Sequence, residues 1–463
     1  MTSIDTLPDD VLLEIFNFHG DLDYGSYEES QKAWQRLAHV CQRWRCIVFA
    51  SPRHLNLQLV CTDRTPAKDT LDVWPALPLM ILSYEDSLTR SVDIVAVLEC
   101  TDRVCHISIG GMVGLGFDIF LAAMQQPFPE LTDLYLGVLQ SFDKTVAVVP
   151  DSFLGGSAPH QEYLELRHIP FPGLPKLLLS ATHLRALYLE NIPHSGYISP
   201  DDMVAALSTL TRLNSLRLEF ESPRSCPDPA SRRPSPSTRS VLPILRFLTF
   251  KGVSEYLEDL VACIDGPQLR CLDVTFFNDV VFDTPQLVRF ISHTPKSKAL
   301  EKANITLWDC DAKVNFSSQK PPYGKFSVKI SCRGLDWQIS SVEQVCTSCM
   351  PPLSMLEDLY FEDSYSQPSW KDSVENGQWL ELFRPFISVK NLYLSEKFAS
   401  CIAPALQELV EGRTDVLPAL QNIFLMGLDS SETVHESIGK LVAARQVANH
   451  PIVISPWTRP GEG

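Results

Sequence analysis

No run of 18 apolar residues occurs anywhere in the 463-residue chain, so no segment reads as a membrane-spanning helix. Positive charge is scarce: 39 Lys and Arg stand against 56 Asp and Glu, a net charge of −17. A protein that wraps nucleic-acid phosphates or lies on anionic lipid normally carries the opposite sign. Both partners are therefore set aside unless a local basic patch appears. The N-terminal stretch MTSIDTLPDD has neither a basic start nor an apolar core, and the 13 cysteines are scattered from Cys41 to Cys401 without a short repeating spacing. These features argue against secretion and for a reducing compartment, cytosol or nucleus. The sequons Asn304-Ile305-Thr306 and Asn315-Phe316-Ser317 are then chance matches.

Catalytic signatures are missing too. The run Gly111-x-x-Gly114-x-Gly116 has the wrong glycine order for a dinucleotide loop, and no G-x-S-x-G is present. Cys346-x-x-Cys349 is a lone pair without a second pair at zinc spacing, and His435-Glu436 lacks the second histidine of a metalloprotease. The expectation is a non-catalytic chain with no cofactor and no metal. Apolar residues make up 45% and charged residues 21% of the composition, enough to bury a substantial core.

The N-terminal fifty residues read as a compact helical unit. In Leu7-Pro8-Asp9-Asp10-Val11-Leu12-Leu13-Glu14-Ile15-Phe16, Pro8 suits a first helical turn and the two aspartates complement the positive end of the helix dipole. Val11, Leu12, Ile15 and Phe16 share one side. After a polar break comes KAWQRLAHVCQRWRCIVFASP, residues 32–52. There Trp34, Leu37, Cys41, Trp44 and Val48 follow helical spacing, Val40 widens the stripe, and Pro52 marks the latest end. One continuous helix is expected there. Two such short helices cannot bury both stripes on each other, so an apolar face, with Leu7, Leu12 and Ile15 on it, is left for a partner.

These residues carry a resemblance. The order Leu7-Pro8-Asp9-x-Val11-Leu12-x-x-Ile15-Phe16, then Leu37 and Val40-Cys41-x-x-Trp44, resembles the F-box, with a longer connection over residues 19–33 that is similar to F-box-like proteins of fungal type. The resemblance implies docking on the Skp adaptor of cullin-based ubiquitin ligases. It assigns adaptor contacts to Leu7, Pro8, Val11, Leu12, Ile15, Phe16, Leu37, Val40, Cys41 and Trp44.

The remainder repeats. L-x-x-L-x-L recurs, as in Leu131-Leu134-Leu136, Leu184-Leu187-Leu189, Leu213-Leu216-Leu218, Leu245-Leu248-Phe250 and Leu356-Leu359-Phe361, with weaker copies at Leu300-Ala303-Ile305 and Val328-Ile330. Helical periodicity appears between copies: residues 118–127, 199–210, 254–267 and 284–295. Ser199 or Asp201, and Ser254 with Glu258 a turn later, read as helix starts. One strand and one helix per unit resembles the leucine-rich repeat. That implies an α/β fold class: a small helical F-box, then an irregular solenoid with a curved parallel sheet inside and helices outside.

The expected organisation is an F-box-like domain over 1–54, a linker and cap over 55–100 holding one strand, repeats over 101–455, and a flexible tail over 456–463. Residues 222–243 hold six prolines and four arginines and read as a loop inserted between repeats. Its regulatory reading rests on Ser222 and Ser235, which each precede proline beside arginines able to pair with phosphate.

In a leucine-rich repeat the residue between the last two leucines faces the concave side. That column reads Ser108, Tyr135, Glu165, Tyr188, Arg217, Thr249, Asp273, Asn304, Lys329, Tyr360, Tyr393 and Phe424. Aromatics interleaved with single charges have the make-up of a binding surface. Tyr135, Glu165, Tyr188, Arg217, Asp273, Tyr360, Tyr393 and Phe424 are the expected target contacts. The resulting expectation is a substrate-recognition adaptor of a Skp-cullin-F-box ligase that presents an unidentified protein substrate. The alternative is an interaction scaffold of the same fold whose degenerate F-box recruits no ligase.

Overall fold

The computed structural model describes residues 4–20, 27–52, 54–55, 57–62, 71–83, 91–112, 115–139, 147–223, 239–277, 284–294, 300–318, 324–332, 334–349, 353, 355–363, 374–408, 416–426, 432–447 and 449–458. The chain divides into two compact units, Met1–Tyr197 and Ile198–Gly463.

The first unit opens on three helices. α1 (Asp9–Gly20) begins directly after Pro8 and carries Asp9 and Asp10 in its first turn, as the dipole favours. The single helix expected over 32–52 is instead two, α2 (Tyr27–Val40) and α3 (Gln42–Ala50). The break falls at Cys41, which is extended (φ −158°, ψ 170°) and whose Sγ accepts the Trp44 N–H at 3.5 Å. A three-residue spacing is that of a continuing helical stripe and equally that of an N-cap to the third helical residue. Sequence periodicity cannot separate the two.

Six strands follow: β1 (Leu59–Thr62), β2 (Leu79–Ser83), β3 (Val104–Met112), β4 (Asp133–Val138), β5 (Tyr163–Arg167) and β6 (Ala186–Ile192). They pair in chain order, all parallel. The cap region expected to hold one strand thus supplies two, with the helix Ser91–Leu98 after them. The helical domain is not a separate bead. Trp74 meets Trp34 edge-on at 5.2 Å between ring centroids, and Phe49 at 6.3 Å, joining α2 and α3 to the segment leading into β2.

The second unit contains β7 (Ser215–Phe220), β8 (Ser240–Val241), β9 (Phe247–Gly252), β10 (Ile264–Asp265), β11 (Cys271–Phe276), β12 (Lys302–Leu307), β13 (Asp311–Ser317), β14 (Lys325–Ser331), β15 (Asp358–Asp363), β16 (Asn391–Leu394), β17 (Asn422–Leu425) and β18 (Val453–Pro456). Its main sheet runs β7-β9-β11-β14-β13-β12-β15-β16-β17-β18, and β8 pairs β10 separately. The expectation of a purely parallel sheet is corrected here: β13 is antiparallel to both β12 and β14. Only residues 308–310 join β12 to β13, a hairpin's length, whereas a parallel partner needs a crossover of a dozen residues or more. The copies at Leu300 and Val328 therefore do not follow one another as repeats. β14 sits beside β11, and β12 beside β15.

Elsewhere the strand-and-helix alternation holds. Helices Leu115–Ala123, Pro200–Leu207, Ser254–Cys263 and Pro285–His293 fall where the helical periodicity placed them. Along β7, β9 and β11 every second residue is buried: Leu216, Leu218, Leu248, Phe250, Leu272 and Val274. Each fully buried side chain of this kind contributes roughly 1.5–3 kcal/mol. The intervening residues face an open side. Ser199 caps its helix as expected, its Oγ accepting the Asp202 N–H at 3.1 Å.

Glu258 has a different part from the helix-start partner expected of it. Its buried carboxylate accepts the N–H groups of Gln286 (2.9 Å) and Leu287 (2.7 Å), capping the next repeat's helix across about one repeat of chain. The distal edge of the 222–243 insertion is ordered as well. Arg239 donates to the Val261 and Ala262 carbonyls at the end of helix Ser254–Cys263 and pairs with Asp265 at 2.6 Å; residues 224–238, Ser235 among them, lie outside the described residues. Pro456 and Trp457, expected in a flexible tail, are instead held: Pro456 ends β18, and the Trp457 N–H donates to the Leu425 carbonyl at 2.9 Å; residues 459–463 lie outside the described residues.

Glu258→Ala leaves two helix N–H groups buried without an acceptor, a loss of about 1–3 kcal/mol. The expected outcome is a lower urea midpoint in tryptophan fluorescence with Glu258→Gln between it and the parent; an unchanged midpoint rejects the cross-repeat cap.

Candidate interaction surfaces

Three places present side chains for recognition, one on the helical domain and one on the open sheet face of each unit. In the helical domain the stripe expected on α1 splits in two. Leu12 and Phe16, four apart, turn inward and are 0% and 1% exposed, and Phe16 packs on Trp44 at 4.7 Å. Val11, Ile15 and Phe18, at i, i+4 and i+7, turn outward, and Val40 at the end of α2 is also exposed. Leu12 and Phe16 are therefore corrected from adaptor contacts to core residues that hold α1 in place. Trp44, Leu7 and Leu37 are half-buried, while Pro8, Val11, Ile15, Val40 and Cys41 remain open.

Phe18, 74% exposed, was absent from the expected contacts. It lies beyond the first half of the motif, which ends at Phe16, but its spacing from Val11 and Ile15 was there to be read. The motif's two halves are clamped together by Arg43, whose Nη2 donates to the Leu7 carbonyl (2.6 Å) and to Asp9 Oδ1 (2.5 Å). The ion pair is largely solvated and worth little by itself; its effect is to set the start of α1 against α3.

On the first unit's sheet the expected column is realised in register: Ser108, Tyr135, Glu165 and Tyr188 are successive cross-strand partners. Tyr163 hydrogen-bonds Glu165, and Arg167 pairs with Glu190 at 2.8 Å and Glu165 at 3.4 Å. Burial first, then the Glu165 hydrogen bond, pushes the Tyr163 phenol well above its usual range. Tyr163 stands edge-on to Tyr188 at 5.4 Å. Tyr135, Glu165 and Tyr188 thus belong to one polar-aromatic network.

On the second unit's sheet the row runs Arg217, Thr249, Asp273, Ser327, Asn315, Asn304, Tyr360, Tyr393, Phe424. Lys329 is corrected: it stands opposite Thr275, one step along, and Ser327 takes its place in the row. Tyr360 and Tyr393 stack at 4.1 Å with planes 8° apart, and Tyr393 and Phe424 at 4.5 Å and 8°. Parallel strands in unshifted register put identical positions about one strand spacing apart, which is close to ring-stacking distance. Trp457 leans on this stack, 5.9 Å from Tyr360 and 5.6 Å from Tyr393. Beside it Asn422 donates to Asn391 and Asn391 to Asp358, both at 2.7 Å. Burial, then hydrogen bonding with Tyr393, raises the Tyr360 phenol above its usual range.

Among the described residues no three His, Cys, Asp or Glu side chains gather closely enough to hold a metal ion, and no helix is long and apolar enough to cross a membrane. Cys346 is buried in the π-helical turn Val345–Cys349.

Residues 4–58 match the F-box-like family model, so the three-helix domain is F-box-like and the chain carries a protein-interaction domain at this end. No curated protein matches the sequence. Among solved structures the chain is similar to the crystal structure of the leucine-rich repeat-containing protein LegL7 from Legionella pneumophila. The two share 12% identity over 83% of this chain and 97% of that one, with a TM-score of 0.28.

Two charge insertions on α1 separate its two faces. Leu12→Asp buries a carboxylate and is expected to melt the helical domain, losing several kcal/mol, whereas Ile15→Asp is expected to stay within about 0.5 kcal/mol of the parent. Thermal melts followed by circular dichroism read both, and equal destabilisation rejects the split stripe. In alkaline titration, raised folded-state values mean that Tyr163 and Tyr360 favour folding below the ordinary tyrosine range near about 10, a contribution lost as pH rises through the folded values. Tyrosinate absorbance of the native chain is expected to lag that of the urea-unfolded chain; coincident curves reject the burial of these phenols.

Proposed function

We propose that this chain is the substrate-recognition adaptor of a Skp-cullin-F-box type ubiquitin ligase, acting in the cytosol or nucleus. The F-box-like domain docks the Skp adaptor, and the open sheet faces hold a target protein. The observation that carries the reading is the outward apolar face of Val11, Ile15 and Phe18 on α1, with Val40 also exposed at the end of α2. These side chains are exposed although Leu12, Phe16, Trp34, Ile47 and Val48 already fill the helical core. The domain is folded without them, so their exposure serves a partner.

Elsewhere on the domain Trp74 packs against Trp34, Phe49 and His39. That packing gives the docking face a fixed attachment to the first strands. Chemistry belongs to other subunits. This chain's contribution is proximity: a target held near a charged transfer enzyme meets it at high effective concentration. The stacked Tyr360, Tyr393 and Phe424 supply rigid, amphipathic contact area of the sort that dominates interfaces, and the Tyr135, Glu165 and Tyr188 network supplies a second region. Acidic residues prevail in residues 1–30, with eight Asp and Glu and no Lys or Arg. That local charge favours an adaptor surface of positive potential.

Co-purification of the full chain with the Skp adaptor tests the reading. The parent is expected to bind, and Val11→Asp with Ile15→Asp to bind about 10- to 100-fold more weakly, as two lost apolar contacts imply. Tyr360→Ala with Tyr393→Ala is expected to keep adaptor binding while losing neighbours detected by proximity labelling. Absence of adaptor binding by the parent rejects the ligase role, and parallel loss of both activities in the tyrosine variant rejects the division of labour.

A further inference from the structure

The hairpin that interrupts the parallel sheet also interrupts the acidic character of the chain. Strands β12, β13 and β14 carry Lys302, Lys313, Lys325 and Lys329 against the single acidic residue Asp311, within a chain of net charge −17. All four lysines lie on the open face, alternating with the buried positions Ala303, Val314, Phe326 and Val328. Lys313 and Lys329 are direct cross-strand partners. Like charges so placed are destabilising; Asp311 offsets them, 3.0 Å from Lys329. Neither Lys313 nor Lys325 has an ion-pair partner among the described residues.

Between the two lysine rows runs a neutral floor of Ser327, Asn315 and Asn304, adjacent in register. Ser327 is 0% exposed, and its Oγ and the buried Oδ1 of Asn315 have no hydrogen-bond partner. Each such buried polar atom is destabilising while it has no partner. A hydroxyl offers a proton to a carboxylate, and an amide oxygen calls for an N–H. Asn304 is followed in register by Tyr360, where the aromatic stack begins.

We infer that this strip binds an acidic peptide segment of the target, its Asp or Glu side chains between Lys313, Lys329, Lys325 and Lys302 and its backbone on the Ser327–Asn315–Asn304 floor, leading a following apolar residue to Tyr360. The assignment deepens the target-binding part of the proposed function and rests on it. A peptide fits better than a nucleic acid. The Asn315 oxygen calls for an N–H donor, which a peptide backbone supplies and a phosphodiester backbone lacks.

Fluorescence anisotropy of the full chain with a labelled oligoglutamate peptide ending in phenylalanine tests this, beside the matching oligoserine peptide and an oligothymidine of equal charge. Oligoglutamate is expected to bind, more weakly at higher salt, and oligoserine is not. Lys313→Gln with Lys329→Gln is expected to weaken binding about three- to tenfold, the paired Lys→Arg variant to retain it, and Lys440→Gln on an outer helix to change nothing. Three outcomes overturn the inference: no oligoglutamate binding, Lys440→Gln and the paired Gln variant behaving alike, or oligothymidine binding as tightly as the peptide. Adaptor co-purification on the same samples keeps the two proposals apart. Retained adaptor binding without peptide binding removes the acidic-segment assignment and leaves the ligase reading standing.

Discussion

Backbone pairing between successive strands without a register shift is the constraint on which the rest of the second unit depends. Each hydrogen-bonded step places a residue beside its counterpart in the next repeat at roughly 4.8 Å. Leucines so aligned close a continuous core, since no single repeat could bury its own. The same step lines up the intervening residues on the other side. Tyr360, Tyr393 and Phe424 stack because their strands pair residue for residue, and the Asn422–Asn391–Asp358 ladder forms for the same reason. The core and the open face are thus two consequences of one register.

The helical domain shows the opposite economy. Three short helices offer little interior, and Leu12, Phe16, Trp34, Ile47 and Val48 use it up. Helices of this length are marginal in isolation, so the domain relies on packing against Trp74. Val11, Ile15, Phe18 and Val40 are left exposed. Inward and outward apolar residues divide between two faces of one helix, Leu12 and Phe16 inside, Val11 and Ile15 outside.

The antiparallel hairpin gives the second unit its individuality. An unbroken parallel array would have set β12 next to β11 and continued the row with residues of the same type. The short connection after Leu307 turns the chain back, and the returning strand brings Lys313 opposite Lys329 and Asn315 opposite Ser327. Charges distant in sequence are collected at one place, flanked by an aromatic platform whose composition is entirely different. Trp457, from the last described strand onward, adds its ring to that platform.

Much of this was legible beforehand. The F-box-like motif, the strand positions of most L-x-x-L-x-L copies and the alternation with helices follow from local patterns, because a period of two or of 3.6 is written in adjacent residues. The tyrosine column was legible for the same reason. Four features were not. Cys41 as a cap rather than a helical residue depends on one backbone torsion. Glu258 capping a helix about thirty residues away depends on which elements touch. Which of Leu12 and Ile15 faces inward depends on where α2 and α3 lie, since both are apolar and one stripe covers both. The reversal at β13 depends on strand pairing, and a pairing between separated segments leaves no periodic trace in either. The sequence by itself determined which residues are strand, which are helix and which alternate positions are apolar, through short-range sterics and burial. Only the tertiary structure decided which faces meet, because that choice is made by the competition among all apolar surfaces for a limited interior.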